Sequence, residues 1–115
     1  MVVFKPISLF EPGTIFKLIR TSYSELVTKY PKYWIQEERK WDESDNQAYS
    51  IPAIAKCTFI TCLEDKPIGM GSYDPRNWPE YGVIGQNCIL PEYQGHGYGR
   101  EQIAEILRIF KENGV

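Results

Sequence analysis

The 115-residue chain has one histidine, and its three cysteines (Cys57, Cys62 and Cys88) form no C-x-x-C pair. No zinc site is suggested and no metal is expected, and an odd number of cysteines leaves no disulfide framework. Their neighbours are apolar and strand-like, where a free thiol behaves as a small hydrophobe. A reducing cytoplasm is the expected compartment. Positive charge is not in excess: 13 Lys and Arg stand against 15 Asp and Glu, for a net charge of −2. That balance argues against nucleic acid or an anionic membrane as the main partner. No apolar run reaches the length of a membrane span, and no basic segment leads into an apolar one at the N-terminus. Repeats, low-complexity stretches and linkers are missing too. With 43% hydrophobic and 24% charged residues, residues 1–115 are expected to make one globular domain with a modest core.

Periodicity supplies the elements. Val2 to Ser8 reads as a first strand, with Pro6 marking an edge. Between Pro12 and Pro31 the residues Ile15, Ile19, Tyr23, Leu26 and Tyr30 recur at helical steps, and Pro31 ends that segment. A second, less regular helix is expected from Tyr33 to about Ala48. Ala55 to Leu63 reads as a strand with Ala55, Cys57, Phe59 and Leu63 on one side. Glu64 to Pro67 is a hairpin turn, Ile68 to about Tyr73 the next strand, and Asp74 to Pro79 a loop. Tyr81 to Leu90 is the fourth strand. The last helix runs from Gly97 to Asn113, buries Ile103, Ile106, Leu107 and Phe110, and stops at Gly114.

The most informative segment joins the fourth strand to that helix: Ile89-Leu90-Pro91-Glu92-Tyr93-Gln94-Gly95-His96-Gly97-Tyr98-Gly99-Arg100. Glycines admit left-handed backbone angles and close ligand approach. A helix N-terminus offers unpaired N–H groups and about half a positive charge, so phosphate is its natural guest. The segment therefore reads as a cradle for a diphosphate. A dinucleotide fingerprint needs G-x-G-x-x-G, and counting from Gly95 its third glycine position is Arg100. The acidic residue it needs about twenty positions further on is also missing. No G-x-x-x-x-G-K-[ST] string occurs. Gln94 to Gly99 does match [RQ]-x-x-G-x-[GA].

In that setting of strand, Leu-Pro-Glu-Tyr, motif and amphipathic helix, the segment resembles the acetyl-CoA pyrophosphate loop of the GNAT N-acetyltransferases. The element order also resembles the first two-thirds of a GNAT domain; the family pattern continues with a further strand, a helix and closing strands. The resemblance implies an α/β fold with a mixed, largely antiparallel sheet flanked by helices. It implies acetyl transfer from acetyl-CoA, as cosubstrate, to a small-molecule or peptide amine by direct attack in a ternary complex. A non-catalytic acyl-CoA-binding or interaction module, or a fragment of a longer acetyltransferase, is the alternative.

Carried over by position, Cys88, Ile89 and Leu90 would offer their backbone to the pantetheine arm. The N–H groups of Gly95, His96, Gly97, Tyr98, Gly99 and Arg100 would hold the pyrophosphate, with Gln94 as polar lead residue. Each charge-assisted bond contributes about 1.5–3 kcal/mol, so four or five suffice without a lysine. Arg100 either adds charge at the phosphates or is a solvated first-turn residue. His96 is read as a surface residue because its slot in the motif is variable. A backbone N–H near Ile89 would face the developing oxyanion.

No catalytic residue is assigned. Glu80, Asp74 and Glu92 are candidate bases, each read first as an exposed turn carboxylate. The tyrosine acid usual in the family has no counterpart. Tyr30, Tyr33, Trp34, Glu37, Glu38 and Trp41 either wall the acceptor site or, the preferred reading, pack as an ordinary amphipathic helix. The fourth strand is too apolar for a free edge, so a homodimer, a partner protein or a C-terminal segment absent from this chain is expected beside it.

Overall fold

The computed structural model describes residues 1–115. Strands β1 (Val2–Pro6), β2 (Thr58–Leu63), β3 (Lys66–Asp74) and β4 (Val83–Ile89) form one antiparallel sheet in that order. Helices α1 (Thr14–Ser22), α2 (Ser24–Lys29), α3 (Pro31–Ser50) and α4 (Pro52–Ala55) connect β1 to β2, and α5 (Tyr98–Glu112) follows β4. The expected α/β architecture is therefore present.

The period of two along each strand divides the core between the sheet faces. Ile60, Cys62, Met70 and Cys88 meet Ile15, Leu18 and Ile19 of α1 and Trp41 and Ala48 of α3. On the other face Phe59 packs with Ile106 and Phe110 of α5. Full burial of each Ile, Leu or Phe contributes about 1.5–3 kcal/mol. β2 is buried on both faces from Thr58 to Cys62, so the one-sided pattern expected from Ala55 is not observed. Ala55 belongs instead to α4, which Pro52 opens at its first position, and the strand starts only at Thr58.

The long helix expected between Pro12 and Pro31 is broken at Tyr23 (φ −106°, ψ 15°). Ser22 Oγ donates back to Leu18 O at 2.7 Å, a contact that loosens helix ends. The Tyr23 ring stacks on Trp34 and Trp41, with centroids 5.8 and 5.5 Å away. The segment does end ahead of Pro31, with α2 stopping at Lys29 and Tyr30 outside the helix, but Pro31 has a second role. It opens the 20-residue α3, where its missing N–H costs nothing. The first strand stops at Pro6, and Ile7–Leu9 form a 3-10 turn.

Asp45 of α3 is 3% exposed and fills a role the sequence does not announce. Its Oδ1 accepts from Gly13 N and its Oδ2 from Phe16 N, both at 2.9 Å. One carboxylate thereby caps the N-terminus of α1 from a different helix, where anions are stabilising. In α5 the buried face is Gln102, Ile106 and Phe110, whereas Leu107, expected inside, is 52% exposed. No helix is long and apolar enough to cross a membrane.

Candidate functional site

The chain leaves β4 through a 3-10 turn, Pro91–Tyr93, and reaches α5 through Gln94 to Gly97. Gln94 Nε2 donates to Ile89 O at 2.9 Å, pinning the loop to the end of the strand. Gly95 and Gly97 have φ of +81° and +86°, so each needs the left-handed region that a Cβ disfavours. Gly97 is the N-cap of α5 and supplies no side-chain acceptor. The backbone N–H groups of Gly95, His96, Gly97, Tyr98, Gly99 and Arg100 make no hydrogen bond within the protein. Six consecutive free donors at the positive end of a helix make a site suited to an anion.

The free edge of β4 adjoins this loop. Leu90 N donates to Ile68 O at 2.8 Å, and in an antiparallel ladder the orientation alternates residue by residue. With Met70 opposite Cys88 and Gly69 opposite Ile89, the Cys88 and Leu90 backbone groups face β3. Of the three residues expected to offer their backbone, only Ile89 presents its N–H to the open edge; Asn87 does the same and was missed. Its signal in the sequence was weak: a polar residue inside an apolar run. Upstream, Ser72 stands opposite both Gly85 and Gln86, because the register slips there.

A cavity of about 290 Å³ straddles this edge, lined by Ser22 and Tyr23 from the end of α1, Asn87 to Ile89, Tyr93 to Gly95, and Gly99. Two of its ionisable groups, the Cys88 thiol and the Tyr23 hydroxyl, are pushed up by burial, the thiol to about 11. Neither is deprotonated near neutrality, and Cys88 is no thiolate nucleophile. A larger cavity of about 530 Å³ lies beyond the slipped register, between α3, α4 and the paired ends of β3 and β4.

A family model described as the GNAT acetyltransferase family matches residues 16–115. The chain belongs to that family. The GNAT fold is independently visible in solved structures. PaiA N-acetyltransferase from Thermoplasma acidophilum, solved with coenzyme A, superposes with a TM-score of 0.68 at 16% identity, over 100% of this chain and 75% of that one. A putative GNAT acetyltransferase from Desulfovibrio desulfuricans gives 0.68 at 16%, over 99% and 67%. N-acetylglutamate synthase from Neisseria gonorrhoeae, solved with coenzyme A and N-acetylglutamate, gives 0.62 at 13%, over 100% and 24%. No curated protein matches by sequence.

The remaining candidates of this GNAT chain fall apart in space. Asp74 lines the larger cavity but is gripped by Arg76, whose Nε lies 2.9 Å from both carboxylate oxygens and whose Nη2 lies 2.5 Å from Oδ2. This pairing holds its carboxyl below the ordinary range. Glu80 and Glu92 are exposed and line neither cavity. His96 is exposed, its ring 5.9 Å from that of Tyr98. In the aromatic cluster Trp41 is buried, Tyr30 and Tyr33 are exposed, Glu38 pairs with Arg20 and Glu37 with Lys40. None of that cluster lines either cavity; Tyr23 alone links its rings to the smaller one.

Proposed function

We propose that this GNAT chain transfers an acyl group, acetyl in the simplest case, from acyl-CoA to an amine by direct attack. The observation that carries the reading is the run of six unbonded N–H groups from Gly95 to Arg100, beside a strand edge with its own free donors. These residues fit a diphosphate followed by an extended amide arm. The loop donors would hold the diphosphate, and Ile89 N–H would lie along the arm. The bound group supplies an activated thioester. The chain's residues bind it, orient it and keep the buried Cys88 thiol protonated so that no acyl-cysteine forms. An alkyl ammonium must lose its proton before attack. Neither Tyr23 nor Cys88 accepts it near neutrality, so the proton goes to solvent. The rate is therefore expected to rise with pH towards the amine's own pKa, about 10.4.

That absence of a base also favours the alternative, an acyl-CoA-binding module without turnover. Calorimetry with acetyl-CoA, followed by an amine screen with free thiol as readout, separates the two. Binding with turnover supports the transferase, binding without turnover the module, and no binding sinks both.

A further inference from the structure

Gln102 is fully buried in α5, at a position where an amphipathic helix would ordinarily place an aliphatic residue. It spans the β3–β4 ladder: Nε2 lies 3.1 Å from Met70 O and 3.3 Å from Cys88 O, and it also bonds Asn87 Oδ1. An amide end facing two backbone carbonyls has to be the NH2 end, because an oxygen there would be repelled. The Asn87 atom it meets is therefore the acceptor, Oδ1. The cost sits at the other end of Gln102, where Oε1 is buried with no partner, a desolvation penalty left uncompensated. A leucine would avoid that penalty.

The consequence falls on Asn87. With Oδ1 held by Gln102, its Nδ2 is directed away. Nδ2 bonds nothing in the chain and is not enclosed. Asn87 lines the cavity at the β4 edge, on the sheet face covered by α5. Ile89, two residues on and about 7 Å away along the strand, adjoins Gly99 in the first turn of α5. A chain leaving the glycine loop and running along this edge therefore passes Ile89 N–H first and the Asn87 carboxamide next.

We propose that Asn87 Nδ2 donates a hydrogen bond to a carbonyl oxygen of the amide arm of coenzyme A, and that Gln102 is a positioning residue fixing that carboxamide as a donor. This rests on the acyl-CoA reading above. The acyl group is not needed for the contact, so CoA with its free thiol is the probe. Calorimetry of the full chain should show CoA binding about fivefold weaker for Asn87→Ala and for Gln102→Leu. The double variant should lose no more than either single one, because the two residues act as a unit. Gln102→Leu should melt at the same temperature as the parent or higher, so damage to the fold cannot account for its weaker binding. Gln102→Met serves if the branched side chain does not pack. Wild-type binding with undiminished affinity in Asn87→Ala or in the Gln102 variants overturns this inference alone. No CoA binding by the wild-type chain overturns the acyl-CoA reading, and this inference with it.

Discussion

At the scale of single residues the loop separates backbone from side-chain contributions. Gly97 needs a positive φ, so Gly97→Val strains the turn that aims the free donors. CoA affinity should fall at least tenfold, which corresponds to about 1.4 kcal/mol. His96→Ala, at an exposed variable position, should change it little. Titration calorimetry on both variants is the check, and normal binding by Gly97→Val would remove the cradle. Cys88 gives a pH prediction. Burial pushes its pKa in the folded chain up to about 11 from the ordinary thiol value of 9.0, so between those values the unfolded chain has already lost a proton that the native one retains. Stability should therefore decline as pH rises from about 9 to about 11. Thermal melts across that window should show a shallower decline for Cys88→Ala. The Cys57 and Cys62 thiols and the Tyr23 hydroxyl, all raised by burial, bend the curve the same way.

At the scale of elements, α1 depends on a carboxylate from α3. Asp45→Ala leaves Gly13 N and Phe16 N without their acceptor and should lower unfolding free energy by about 2–3 kcal/mol in denaturant titrations. The folded fraction should bind CoA normally. Capping of this kind could not be read from the sequence, since the partners are 29 and 32 positions apart. What was legible was local: the hairpin at Glu64-Asp65, the glycine loop and the amphipathic α5 each carry their cause within a few residues. The misplaced boundaries have non-local causes. Tyr23 breaks a helix because its ring has Trp34 and Trp41 to stack on; the Ala55 boundary is the exception, since Pro52, three residues before it, starts a turn of helix. The loop and strand edge proposed to hold the cofactor were legible as a unit because motif and strand are contiguous. The Gln102–Asn87 pair was not: the spacing to Ile106 and Phe110 puts position 102 on the buried face, but a glutamine there does not reveal that its amide is held between two strands.

At the scale of the molecule, β4 pairs only with β3, and Val83 and Ile84 remain 40% and 39% exposed at its upstream end. We propose that a second copy covers the upstream end of this edge, at Val83 and Ile84, and leaves Asn87 to Ile89 open. Sedimentation over a concentration series should show self-association, and Ile84→Lys should weaken it. A monomer at every concentration, with fast amide exchange at Val83 and Ile84, would refute the proposal. Cys88 and Ile89 are already buried within the chain, so the exposed apolar part of the strand is shorter than its composition suggested.

The six donors from Gly95 to Arg100 are dipoles, not ions, and the charged side chains next to them balance: Lys66, over the Tyr93 ring, and Arg100 stand against Glu92 and Glu101. Mobile ions screen charges separated by more than about 8–10 Å but scarcely touch a hydrogen bond at contact distance. A phosphate held by lysines is released as salt rises; one held by this backbone should not be. The net charge of −2 repels an anionic guest at long range, so added salt should speed encounter while leaving departure unchanged. Such a site would grip its polyanion at least as firmly in a concentrated electrolyte as in a dilute one.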